Sequence, residues 1–137
     1  MKLLERAAVA AWWEIAQSDL RVAEVLYSLE PPVFRHVCFN CQQAGEKALK
    51  AVLESCSMVI PRTHNLMTLA ELLSTDCVDV LAITPSCAAL TLHGVGPRYP
   101  GTEGAATAAD AAEAIAHAAA VVAWAAVKLE SEIVAPK

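Results

Sequence analysis

Three long stretches of this chain repeat apolar side chains every three to four residues, and nothing of useful length alternates with a period of two. That pattern admits helices and excludes a sheet, because a half-buried strand must alternate. The first stretch, residues 3–29, carries Leu4, Ala8, Ala11, Ile15, Val22 and Leu26 on one stripe and Trp13, Ala16, Leu20, Ala23 and Tyr27 on another. Two stripes on one helix predict contact with more than one neighbour. Pro31 and Pro32 stop this helix, since proline disfavours helix in the residue before it. In the second stretch, residues 33–56, Phe34, Cys38, Cys41, Gly45, Ala48 and Val52 keep the period, with Val37, Leu49 and Leu53 beside them. Gly45 weakens a helix relative to Ala but permits close packing against it. The third stretch runs from about Thr107 to Ile133, with Ile115, Ala119, Val122, Ala126, Leu129 and Ile133 as its apolar stripe.

Shorter pieces fill the middle. SMVIPRT is a connector, after which Thr63 or Asn65 is placed to cap a short helix over residues 65–74. Residues 78–94 contain a fourth helix, which Pro85 either opens or kinks. GVGPRYPGTEG, residues 94–104, is a loop by its glycine and proline content. The expectation is an all-α, up-and-down helical bundle of four to five helices, with the first, second and last helices long, forming a single domain over residues 1–137.

Composition narrows the function classes. Hydrophobic residues make up 56%, much of it alanine, which favours closely spaced helices. Charged residues are 18%, low for a freely solvated monomer, which predicts that a partner chain covers part of the surface. The net charge of −5 lacks the basic footprint of a protein that holds nucleic acid by general electrostatics. The N-terminus carries charges within its apolar part and no small-residue cleavage pattern, so it does not read as a signal peptide. The apolar run 114–127 is short for a membrane span and contains His117. A cytoplasmic protein without a membrane segment is expected.

Five cysteines, an odd number, argue against a secreted disulfide framework. Cys38 and Cys41 form a CxxC, but no second pair or nearby His pair completes a zinc site. Three residues apart on a helix they share one face, where a free thiol packs as a small hydrophobe. No metal and no cofactor is expected. Neither GxGxxG nor GxxxxGK[ST] occurs.

The stretch FNCQQAGEKALKAVLE, residues 39–54, carries Gln42, Glu46 and Lys50 in an i, i+4, i+8 row with Gln43 and Lys47 close by. One reading is an ordinary solvated face with a Glu46–Lys50 pair. The other is a surface for a nucleotide, with amides for a base edge and lysines for phosphate. His64 reads as a helix-start residue bonded to its own turn or as part of such a surface. Arg98 and Tyr99 sit in the Gly/Pro loop, where binding residues concentrate. There they either anchor the loop, Asp19 being one possible partner for Arg98, or contact a ligand. His117 reads as a packing or interface residue.

Taken in order, WWEIAQSDLRVAEVL, FNCQQAGEKALKAVLE, PRTHNL and PRYPG before an Ala-rich last helix make the chain resemble a HEPN domain (higher eukaryotes and prokaryotes nucleotide-binding). The QQAxEKALKA and THxL elements carry the resemblance most specifically. It implies an all-helical bundle that dimerises and pairs with a minimal nucleotidyltransferase in a two-component, toxin–antitoxin type of system. It also implies nucleotide or partner binding by Gln42, Gln43, Glu46, Lys47, Lys50, His64, Arg98 and Tyr99. Family members that cleave RNA carry an Arg, four to six residues, then a His. Here Arg98 meets no His before His117, His93 precedes Arg98 in the reverse order, and Arg62 and His64 are too close. The expected function is therefore non-catalytic binding. The rival is a ribonuclease using Arg98 with His64 or His93.

Overall fold

A computed structural model describes residues 3–93 and 105–130. Its elements are α1 (Leu3–Tyr27), α2 (Phe34–Ser55), α3 (Leu66–Leu73), a 3₁₀ helix (Val78–Ile83), α4 (Thr84–Thr91) and α5 (Ala108–Lys128). The described residues contain no strand. The all-helical bundle with long first, second and last helices is thus the observed architecture.

α2 is the central helix, packed along α1 on one side and along α5 on another, with α3 and α4 closing the remainder. Its buried residues include Val37, Cys38, Cys41, Ala44, Ala48, Leu49, Val52 and Leu53. The approach of α3 and α4 explains Gly45. A Cβ there would lie 2.8 Å from Leu66 Cδ2 and 2.9 Å from Leu90 Cδ1, inside van der Waals contact.

The punctuation follows local chemistry. Asn65, rather than Thr63, caps α3: its side chain accepts from the Met67 and Thr68 N–H groups, while Thr63 Oγ1 accepts from the Asn65 N–H and shapes the turn. Pro85 opens α4 rather than kinking it, since its missing N–H costs nothing in a first turn. Thr107 and Asp110 form a reciprocal capping box at the start of α5. At the end of α2, Ser57 adopts φ 57°. The Met58 and Ser57 N–H groups donate to the carbonyls of Leu53 (3.1 Å) and Glu54 (3.0 Å), a Schellman closure that turns the 58–62 segment back over α1 and α2.

Two apolar stripes face differently from their sequence reading. On α1, Val9, Trp13, Ala16 and Ala23 enter the core, whereas Ala11, Ile15 and Val22 lie exposed. On α5 the buried row is Ala111, Ala114, Ala118, Val121, Ala125 and Leu129. Of the expected row, Ala119 is exposed, Ile115, Val122 and Ala126 sit half-buried at the edge, and Ile133 lies outside the described residues. The reason is steric: α5 presents its small residues to α2, and an alanine-rich helix is apolar nearly all round, so its larger residues do not mark the inner face. By length and composition alone α5, at 21 residues, is apolar enough to cross a membrane, which revises the shorter 114–127 run. Here its buried row packs against α2.

Gly45→Val should cost about 1–3 kcal/mol, because the added methyls overpack against Leu66 and Leu90. Chemical denaturation should show this as a lower midpoint with unchanged helical circular dichroism. An unaltered midpoint would mean that the approach is looser than described.

Candidate functional site

The polar row of α2 does not face water. Gln42, Glu46 and Lys50 are buried, because α2 is covered on nearly every side and this row lies beneath α1 and the 61–65 turn. The reading of Glu46 and Lys50 as an ordinary solvated face is corrected accordingly, while the alternative, that the row turns towards a cleft, fits Lys50. Gln43 and Lys47 are half-buried, and His64 is exposed.

The six residues form one network around the Glu46 carboxylate. Lys50 Nζ donates to Oε2 at 2.8 Å and Lys47 Nζ to the same oxygen at 3.3 Å. Gln42 Nε2 donates to Oε1 at 3.1 Å and also to the His64 carbonyl at 3.0 Å. His64 Nδ1 lies 3.0 Å from Oε1. Gln43 Nε2 donates to Gln42 Oε1 at 2.7 Å, and Lys47 Nζ donates to Gln43 Oε1 at 2.8 Å. The QQ and EK pairs of the sequence are thus links of a single circuit.

Burial by itself pushes the Glu46 carboxyl up. The hydrogen bonds from Lys50, His64 and Gln42, together with the charge of Lys47, outweigh it and hold the pKa below its ordinary value of 4.5. An ionised carboxylate only accepts, so in this contact His64 Nδ1 is the donor. The His64 side chain is 69% exposed, against 1% for Glu46.

Neighbours extend the site. Asp19 of α1 is raised by burial, with Lys47 lowering it and Glu46 raising it. Trp12 Nε1 donates to Glu54 Oε1 at 3.3 Å, and Lys50 Nζ lies 5.5 Å from the Trp12 ring centroid, within cation–π range. A cavity of about 440 Å³ opens beside Lys50, lined by Trp12, Glu54, Met58, Ile60 and Arg62 among others. Sequence reasoning passed over Trp12 and weighed Arg62 only as a ribonuclease partner of His64. The Trp12–Trp13 pair was the available signal, since two adjacent indoles on a helix cannot both enter one core.

Arg98 and Tyr99 lie outside the described residues, as does any pairing of Arg98 with Asp19. His93 belongs to a different neighbourhood. Burial pushes its ring below the ordinary value, with Asp110 and Glu113 on α5 pulling it back and His117 adding to the depression. His117 Nδ1 lies 2.9 Å from Ser86 Oγ, a contact between α5 and α4. The CxxC thiols face the core. Burial, then Asp110, pushes Cys38 up to about 11, and burial, then Cys38 and Glu24, pushes Cys41 up to about 12. Among the described residues no three His, Cys, Asp or Glu side chains gather to hold a metal ion.

The HEPN domain family matches residues 9–130 of this sequence. The chain belongs to the HEPN family. The HEPN match takes in the whole Glu46 network, the cavity lining and the 94–104 loop. Among solved structures the chain is similar to TT1696 from Thermus thermophilus, at 26% identity and TM-score 0.80, over 88% of this chain and 98% of that one. It is also similar to ST0689, an archaeal HEPN homologue, at 28% identity and TM-score 0.70, over 88% and 97% of the two chains. No curated protein matches it.

Glu46→Gln should destabilise the chain at neutral pH by about 3 kcal/mol, because Lys50 is left buried without its counter-charge. The pH dependence has a definite sign. The folded pKa is depressed, so the stabilisation is whole above pH 4.5 and is lost as pH falls through the lowered value. Thermal unfolding between pH 7 and 3 should show wild type losing more stability than Glu46→Gln; parallel curves would refute the assignment.

Proposed function

We propose that this chain is a non-catalytic HEPN module of the cytoplasm that self-associates, binds a partner protein of the minimal nucleotidyltransferase class and takes up a nucleotide beside the Glu46 network. The observation that carries the non-catalytic reading is the closure of that network. Both ammonium groups, Lys47 and Lys50, are already bonded to Glu46. Cleavage of a phosphodiester needs a cation aimed at the developing phosphate charge, and the charge of these two lysines is already engaged by Glu46; the Arg, four to six residues, then His of the cleaving members is also missing from the sequence. The two lysines are therefore scaffold rather than phosphate clamp, which revises the role given to them by their sequence spacing.

The nucleotide falls to the adjoining cavity. Its volume of about 440 Å³ lies in the range that small-molecule sites occupy. Trp12, Met58 and Ile60 offer apolar walls for a base, and the exposed Arg62 offers a guanidinium for phosphate at the mouth. Gln43, Lys47 and His64 form the polar edge on which a partner settles. One observation favours the rival ribonuclease. Glu46 holds His64 through Nδ1 while the ring stays largely exposed, a carboxylate-oriented histidine of the kind that general acid–base catalysis uses.

Titration of AMP, ADP and ATP should detect binding that weakens with added salt. Arg62→Ala should weaken it about tenfold, in line with the loss of one charge-assisted bond. RNA incubated with wild type should remain intact. RNA cleavage that disappears in a folded His64→Ala variant would establish the rival, and binding unaffected by Arg62→Ala, Lys47→Ala and His64→Ala would remove this region from the nucleotide site. Co-purification with a minimal nucleotidyltransferase, sought first among the products of neighbouring genes, tests the partner, and failure to associate would rule that protein out.

A further inference from the structure

α1 carries a second apolar row that the core does not use. Ala8, Ala11, Ile15, Ser18, Val22 and Val25 recur with alternating steps of three and four residues, the 3.5-residue repeat that lets two helices pack along their length. Val9, Trp13, Ala16 and Ala23 turn into the core, so the row lies on the opposite side of the helix. Ala8 is half-buried and the rest are exposed, Ile15 by 43%, Val22 by 44% and Val25 by 55%. Three branched apolar side chains, Ile15, Val22 and Val25, on one water-facing stripe mark an interface.

We propose that this row is an isologous interface with a second copy of this chain, in which the two α1 helices pair antiparallel with Ile15 of each beside Ser18 of the other. The proposal rests on the self-association stated above and adds the surface, the direction and the register. Size complementarity selects the register. Antiparallel pairing sets Ala8 against Val25, Ala11 against Val22 and Ile15 against Ser18, each repeated by the two-fold axis. Every layer then combines one small and one branched side chain, which keeps the helix separation even. Parallel pairing would set Ala11 against Ala11 and Val22 against Val22, alternating narrow and wide layers.

Charge selects the same direction. Glu14 and Arg21 flank the row on one side, both are exposed, and neither is ion-paired among the described residues of its own chain. In the antiparallel register Glu14 of each copy meets Arg21 of the other, giving two reciprocal pairs. In the parallel register Glu14 faces Asp19 of the second copy, a like-charge contact. Flanking charges of this kind set orientation in paired helices, and a surface matched to itself about a two-fold axis calls for another copy of the same chain.

Sedimentation at micromolar concentration, with helical circular dichroism as the folding control, tests the proposal on wild type, Val22→Glu, Glu14→Arg, Arg21→Glu and the Glu14→Arg/Arg21→Glu double variant. Wild type should be a dimer and Val22→Glu a folded monomer. Each single charge reversal should weaken the dimer roughly threefold or more, and the double variant should restore it. A dimer that survives Val22→Glu would overturn this face while leaving self-association in place. Single reversals without effect, or a double variant that fails to recover, would overturn the antiparallel register. A wild-type monomer would overturn both the interface and the self-association on which it rests.

Discussion

The buried carboxylate of Glu46 is the group on which the rest of this structure depends. Taking an ion out of water costs several kcal/mol unless the protein replaces its hydration. Here two ammonium groups, an amide and an imidazole do so. Those donors come from two separate parts of the chain, α2 itself and the turn before α3. Satisfying one charge therefore fixes where the 61–65 segment runs. Lys50 carries the constraint on to α1 through the face of Trp12. The same arrangement engages both lysines and leaves the His64 ring exposed at its edge.

Around that polar centre the packing relies on small residues. Gly45 admits Leu66 and Leu90 on one side of α2, and the alanine row of α5 closes on another. Interiors are packed as tightly as organic crystals, so close helix separation lets a chain with few aromatics build a continuous core. The consequence is a central helix buried on nearly every side. A charged row on such a helix has to be satisfied internally, and Gln42, Glu46 and Lys50 are satisfied by one another and by Gln43, Lys47 and His64.

Helix existence and most end points were legible in the chain. Pro31 and Pro32 stop α1, Asn65 caps α3 and Thr107 opens α5, because capping and proline effects act within a few residues. The gathering of Gln42, Gln43, Glu46, Lys47, Lys50 and His64 was partly legible. The i, i+4, i+8 spacing places Gln42, Glu46 and Lys50 on one stripe, and their place in a HEPN-like pattern brought in the THNL turn. Which way that stripe faces was not legible, because glutamine, glutamate and lysine read as solvated wherever they occur. The α5 face was misread for a related reason: when nearly every residue is apolar, periodicity loses its contrast.

By itself the sequence determined the helical class, the punctuation between elements and the membership of the HEPN family, all of which rest on short-range stereochemistry and an ordered set of motifs. Only the tertiary structure decided that Glu46 and Lys50 are buried, that His64 meets Glu46 through Nδ1, and that Trp12 and Arg62 border a cavity. It also decided which apolar stripe of α1 is left to water. Each of these depends on which helices lie against a given face, and that is set by the packing of side chains far apart in the chain, not by their spacing along it.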